Sequence, residues 1–342
     1  MATIYDVAKR ANVSTATVSF AFNRPEKVKP DTRERILQAA RELDYKPNVN
    51  ARRLAGGKSQ MVALLVNDIR YPSASTTSQT VVEALRIEGF ITVLSVTDGD
   101  STTTLQLLEQ LHQRGADGFI LLPTFATLDK EVVEALRKMM QDKIPVTIIS
   151  NGLDDPQLDI VSFRAQSAAR ELVDHLVDLG HRNIAYIGPN HSLGDSTVRY
   201  LGYQESLLSN GLAIRPELVI ETDFTQPDVK LDMARLMEHP DPPTAIFGSN
   251  DLIMMAVIDY CRERQIQIPE QLSLVSFDTV ALVQRQTPVI TSMMIPTVEV
   301  GQKAVDLLLN RIQNPATPPS HEHLRCILDV RASTGAPPSA HI

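Results

Sequence analysis

Cysteine is nearly absent: two in 342 residues, Cys261 and Cys326. Their spacing fits no zinc or redox motif, so buried, unpaired thiols are expected. No apolar stretch approaches the roughly 18–20 residues that span a bilayer. The N-terminus lacks the basic-then-apolar layout of a signal peptide. A soluble, cytoplasmic protein with no membrane partner is expected. Catalytic motifs are missing too. There is no Gly-x-Ser-x-Gly, no His-Glu-x-x-His, no Gly-rich phosphate loop and no His/Cys metal cluster. His181 and His191, in Gly-His-Arg-Asn and Pro-Asn-His-Ser loops, read as surface histidines. No enzyme activity and no cofactor are expected.

What is present begins with a charge contrast. The net charge is −8, yet residues 1–60 hold 12 lysines and arginines against 6 acidic residues. The remainder holds 21 basic against 35 acidic residues. A basic head on an acidic body suggests a polyanion partner for the head alone. A merely solvated basic face is the alternative. At 43% hydrophobic residues the chain can bury a proper core.

The head reads as short helices. Thr3-Ile-Tyr-Asp6 has the form of a capping box, and Ile4, Val7, Ala8 and Ala11 follow at helical spacing. Asn12 suits a left-handed helix end. Ser14 suits the N-cap of a second helix over 14–22, which buries Val18 and Ala21. Pro30 opens a third, with Ile36, Leu37, Ala40 and Leu43 on its apolar face. Two helices joined by a tight turn make a helix-turn-helix, the device that sets one helix in a DNA groove.

Tyr5-Asp-Val-Ala8, Val13-Ser14, Thr17-Val18-Ser19, Thr32-Arg-Glu-Arg-Ile36, Leu43-Asp-Tyr-Lys-Pro-Asn48 and Ala51-Arg-Arg-Leu-Ala55 stand at matching spacing. The sequence thereby resembles the LacI-type family of bacterial transcription regulators. The likeness runs more loosely to about residue 336. It implies an all-α helix-turn-helix headpiece over 1–47 and a hinge helix and linker over 48–60. A two-lobed α/β sensor, periplasmic-binding-protein-like, would fill 61–336, ahead of a tail at 337–342. The first lobe would take 61–162 and 291–320, the second 163–290 and 321–336.

The resemblance also implies roles. Helix 14–22 would lie in the major groove, with Thr15 and Ala16 reading base edges. Many relatives carry arginine where this chain has Phe20. Phe20 cannot make that bidentate contact, but it can meet thymine methyls. Ser14, Thr17, Ser19, Asn23, Lys29, Thr32, Tyr45 and Asn48 match phosphate-contacting positions, which fix register. For each hydroxyl, a helix cap or a solvated side chain is the alternative. Leu54, with Ala51 beside it, would wedge into the minor groove at the centre of the site. A flexible linker is the alternative there. Two hinges must meet, so a homodimer on near-palindromic double-stranded DNA is implied, in the cytoplasm at the bacterial nucleoid.

After Gln60 short apolar runs alternate with helical patterns. Strands are expected at 61–66, 91–96, 118–122, 146–149, 184–187, 244–247 and 272–277, with a last one near 324–331. Helices are expected at 81–88, 104–113, 130–140, 168–179, 199–209, 228–237 and 251–263. Two such α/β units imply lobes with a ligand cleft beyond the strands' carboxyl ends. Arg199, Asn250 and Asp278 match effector-binding positions, and Phe224 matches an aromatic wall. Asp278 capping a turn, Asn250 capping helix 251–263 and Phe224 in the core are the alternatives. Ser73 falls where the family often has phenylalanine (Tyr71-Pro-Ser-Ala74 for Asn-Pro-Phe-Phe). Arg164-Ala165 and Met294-Ile295 replace polar pairs of the family. A small-molecule effector is implied, a sugar or sugar derivative outside the commonest set.

An enzyme on the same frame and an exported solute-binding protein are the rival readings. The missing catalytic motifs speak against the first, and the basic helical head and the lack of a signal peptide against the second. The expectation is a DNA-binding regulator, a repressor, whose operator affinity a small molecule controls allosterically.

Overall fold

The computed structural model describes residues 2–23, 27–45, 59–123, 128–189, 194–222, 229–278 and 286–338, without the side chains of 23 and 194–196. The chain divides into two compact units, Met1–Met61 with Leu111–Asp117, and Val62–Gln110 with Gly118–Ile342.

The first unit carries three helices, α1 (Ile4–Ala11), α2 (Thr15–Asn23) and α3 (Pro30–Glu42). Val7, Ala8, Ala11, Val18, Ala21, Ile36, Ala39 and Ala40 form one buried cluster. The expected apolar stripes therefore meet in a common core. Arg10 and Glu42 clip α1 to α3 across the surface, at 3.0 Å from Nε and 2.6 Å from Nη2.

The second unit is built on two six-stranded sheets. The order in the first is β11 (His321–His323), β5 (Asp159–Ser162), β4 (Val146–Ile149), β3 (Gly118–Leu122), β1 (Met61–Val66), β2 (Ile91–Val96). The second runs β12 (Ile327–Asp329), β10 (Thr291–Met294), β9 (Ser273–Phe277), β8 (Ala245–Gly248), β6 (Ile184–Gly188), β7 (Val219–Glu221). The pairings β1–β3, β3–β4, β4–β5 and β5–β11 are parallel, as are those from β7 through β10; β12 is antiparallel to β10. Strands β3, β4, β5, β6, β8 and β9 are buried along their whole length, and all but β5, which carries Asp159, read as runs of apolar or small residues. The helices are α4 (Pro72–Ile87), α5 (Ser101–Gln113), α6 (Lys130–Gln141), α7 (Ala165–Asp178), α8 (Gly194–Ser209), α9 (Lys230–Met237), α10 (Asp251–Glu263) and α11 (Thr297–Gln313). No helix among the described residues is long and apolar enough to cross a membrane.

The expected lobe boundaries need correction at both later crossings. Residues 291–294 were expected in the first lobe, but they pair with β9 in the second sheet. The free edge of β9 needs a partner, and Thr291 is fixed further by its N–H to Ser333 Oγ at 2.8 Å. The return to the first sheet therefore comes at α11, where Gly301 lets the helix approach Thr77 and Thr80 of α4 too closely for a Cβ. Residues 321–323 were expected in the second lobe, but they form the edge of the first sheet beside β5. The Ile160 N–H to Ser320 carbonyl bond, 2.9 Å, starts that pairing and the Leu324 N–H to Ser162 carbonyl bond, 2.8 Å, ends it.

Two local features also depart from expectation. Helix α4 starts at Pro72, well before residue 81, because its small polar turn packs Ala74, Thr77 and Ser78 inward. The Thr76 and Thr80 hydroxyls donate to carbonyls four residues back, each at 3.0 Å. His181 is not a surface histidine; it is fully buried. Its ring lies 2.8 Å from Thr244 Oγ1, 3.1 Å from Ser273 Oγ and 2.9 Å from the Gly335 carbonyl. His191 lies outside the described residues. Both cysteines are buried and free, and burial pushes each thiol up to about 12.

Candidate DNA-reading head and ligand cleft

The head is organised by its caps. The Asp6 carboxylate accepts from the Thr3 N–H at 2.8 Å and the Thr3 hydroxyl at 2.7 Å, which holds its pKa below the ordinary value. Asn12 takes the left-handed conformation, φ 53°, and ends α1. Ser14 Oγ then accepts the Thr17 N–H at 3.1 Å and lies 2.8 Å from the Thr17 hydroxyl. Ser14 is thus the cap of α2. Of the two hydroxyl protons in that pair, one stays available for an outside acceptor.

Helix α2 buries Val18 and Ala21 and leaves Ala16 and Phe20 exposed, with Thr15, Thr17 and Ser19 half-buried. Ala16 and Phe20 stand one turn apart and share a face. The helix carries no charged residue from Thr15 to Asn23. Lys29 is exposed and Thr32 half-buried at the start of α3. Tyr45 packs on Phe22, ring centroids 6.0 Å apart, so its ring belongs to the core of the head. The Asn23 side chain, Asn48, Ala51 and Leu54 lie outside the described residues, so the hinge carries no structural description.

One cation that sequence reasoning missed belongs to this face. Lys27 Nζ lies over the Phe20 ring, 5.9 Å from its centroid. The signal was one lysine among several cations between α2 and α3, with nothing in the sequence to link it to α2.

In the second unit, polar residues gather where strands end. Arg199 on α8 donates through Nη1 to Asp278 Oδ2 at 3.1 Å and through Nη2 to Asp278 Oδ1 at 3.0 Å. Its Nη1 also donates to the Ser249 carbonyl. Its guanidinium lies 4.3 Å from the centroid of the Phe277 ring. Asp278 follows β9 with a left-handed φ of 69°, a conformation that Asp tolerates better than most residues. Burial pushes its carboxyl above the usual carboxylate range. The guanidinium, which stays charged, opposes that rise.

Arg199 lines a small cavity together with Ser73, Thr77, Phe163, Ile295 and Thr297. Leu122 and Ile149, at the carboxyl ends of β3 and β4, also line it. The space is about 20 Å³, room for about one water. Ser73 and Arg199 are therefore brought together, and Asp278 joins them through its ion pair. Asn250 does not line this cavity. It is fully buried and its Oδ1 caps α10, accepting the Ile253 N–H at 2.8 Å. Phe224 lies outside the described residues. Thr77, Phe163 and Thr297 were not singled out from sequence, and Ile295 was noted there only as replacing a polar residue of the family. Phe163 and Ile295 directly follow strands at the crossings, and that position was the usable signal.

Comparison with known proteins gives the following. A domain described as bacterial regulatory proteins, lacI family, matches residues 3–48, and a periplasmic binding protein-like domain matches residues 173–334. The HTH-type transcriptional regulator DegA of Bacillus subtilis is 32% identical over 300 residues, which cover 87% of this chain and 88% of that one. A solved complex of the transcriptional regulator CelR with cellobiose is 28% identical with a TM-score of 0.71, covering 97% of this chain and 100% of that one. The lac repressor dimer bound to operator and the anti-inducer ONPF is 25% identical with a TM-score of 0.82, covering 98% and 99%.

Proposed function

This chain belongs to the lacI family of bacterial transcriptional regulators and is not an enzyme; on that premise we propose that it is a repressor that reads a near-palindromic operator as a homodimer. The observation that carries the reading is the exposed face of α2. Val18 and Ala21 anchor the helix, Ala16 and Phe20 face out, and the Ser14–Thr17 pair keeps a hydroxyl proton for a phosphate oxygen. Thr15, Ala16 and Phe20 read bases in the major groove. Ser19, Asn23, Lys29, Thr32, Tyr45 and Asn48 join Ser14 and Thr17 along the backbone, and Leu54 with Ala51 enters the minor groove.

The homodimer has its own support. Edge strand β2 exposes Ile91 at 70%, with Leu94 and Val96 part-exposed and Ile87 nearby on α4. An uncovered apolar edge strand is an aggregation hazard unless something covers it, and a second copy is suited to do so.

The effector is a small molecule, a sugar or sugar derivative, held in the cleft marked by Ser73 and the Arg199–Asp278 pair, and Asn250 and Phe224 are proposed as further effector contacts. The CelR–cellobiose complex supports a carbohydrate. With about 20 Å³ of room, the described cleft must open to admit a sugar. A ligand that favours one lobe arrangement then shifts DNA affinity through the hinge. The test is selection from a random duplex pool by the full chain. A near-palindrome of two half-sites is expected. Recovery of no sequence, or of a single unpaired half-site, would contradict the proposal.

A further inference from the structure

A helix that reads a groove without any charge of its own draws its electrostatic attraction from elsewhere. From Thr15 to Asn23, α2 has neither acid nor base. Its outward pair, Ala16 and Phe20, offers only apolar contact, suited to thymine methyls. Phe20 is 40% exposed, and over its ring stands the ammonium of Lys27 at 5.9 Å. Lys27 itself is exposed, while the next residue, Val28, is buried in the core of the head. The backbone beside Lys27 is therefore anchored, and the long side chain swings from a fixed point.

A lysine in solvent samples many rotamers, and ordering it costs binding free energy. An aromatic face within about 6 Å attracts the cation and narrows that freedom. Phe20 thus does two things on one surface. Its exposed part is available to the groove, and its ring holds a positive charge beside it.

We infer that Phe20 and Lys27 act as one DNA-reading element, in which the ring positions the Lys27 ammonium against the duplex at the edge of the recognition helix. The inference rests on the DNA-binding reading and extends it to a residue outside the helix. Lys27 supplies the charge that α2 lacks, and Phe20 determines where that charge sits. The two side chains are then energetically coupled on DNA, and their coupling in folding is small, since both are exposed.

The test is a double-mutant cycle in the full chain: Phe20→Leu, which removes the ring and keeps apolar bulk, Lys27→Met, which removes the charge and keeps the stem, and both together. Affinity is read by fluorescence anisotropy on the duplex selected by the wild type and on a scrambled duplex, across a salt series. Each single variant is expected to lose about three- to fivefold per half-site on the selected duplex. The double variant is expected to be no weaker than the weaker single. Lys27→Met is also expected to flatten the salt dependence. Losses that multiply in the double variant, or Lys27→Met binding with unchanged affinity and salt slope, would overturn the coupling. A wild type that selects no duplex at all overturns the DNA reading itself, and this inference with it. Melting temperatures of all four proteins are expected to agree; a fall confined to the variants would assign the pair to folding and overturn the inference.

Discussion

Arg199 and Asp278 hold each other in a forked ion pair, two hydrogen bonds of 3.1 and 3.0 Å between side chains that are 2% and 1% exposed. Removing one partner strands a buried charge, at a cost of about 3–5 kcal/mol. Asp278→Ala or Arg199→Met is therefore expected to lower the melting temperature as well as abolish the ligand response. The double variant Arg199→Met, Asp278→Leu removes both charges and is expected to recover most of the stability but not the response. Thermal melts and ligand titrations of the three proteins check this. A double variant that regains the response removes the pair from ligand recognition.

Ser14 separates folding from DNA contact. Ser14→Ala deletes the cap on α2 and is expected to cost about 1 kcal/mol of stability. Ser14→Asp keeps a capping oxygen and sets a negative charge where a phosphate is proposed. It is expected to melt like the wild type and to bind DNA much more weakly. If Ser14→Asp binds as well as the wild type, Ser14 is a cap and nothing more.

The hinge is tested through Leu54. A wedge matters only at a kinked central step. Leu54→Ala is expected to weaken binding to the selected duplex more than binding to a scrambled one. Equal losses on both would remove the wedge.

His181 makes stability depend on pH. Burial pushes its pKa below the ordinary 6.5, so the unfolded chain binds the proton more readily than the folded one. The stability it confers is full above about pH 6.5 and is lost as pH falls through the window beneath that value. His175, placed 3.1 Å from the Thr334 hydroxyl, is shifted the same way, also by burial. The melting temperature is expected to fall as pH drops below about 6.5, and His181→Asn is expected to flatten that fall. A variant with the wild-type slope would show that another group carries the acid sensitivity.

Much of this was legible in the sequence for definite reasons. Strands β1, β3 and β9 and helices α1 and α10 announce themselves because burial on both faces, or on one helical stripe, writes a clean apolar pattern. The caps Thr3–Asp6, Asn12 and Ser14 were legible because short polar side chains at helix ends have local jobs. Strands β5, β10 and β11 were missed, and with them the lobe boundaries. Each is three or four residues long and partly polar, and each exists because the edge of a neighbouring strand needs a partner, which for β11 lies about 160 positions away. His181 was misread for a similar reason. Its surroundings come from Thr244, Ser273 and the C-terminal segment at Gly335, none of them near it in the chain. Within the cleft, Arg199 and Asp278 were picked out singly, but their pairing across 79 positions was invisible until the fold joined α8 to the end of β9.

The central claim is that a ligand in the cleft governs DNA affinity. It is tested by measuring the affinity of the full chain for its selected duplex with and without a carbohydrate that raises its melting temperature, taken from a panel that includes cellobiose and ribose. A change of about fivefold or more is expected, the scale of ordinary coupling between two sites. A sugar that raises the melting temperature and leaves DNA affinity unchanged would contradict the account.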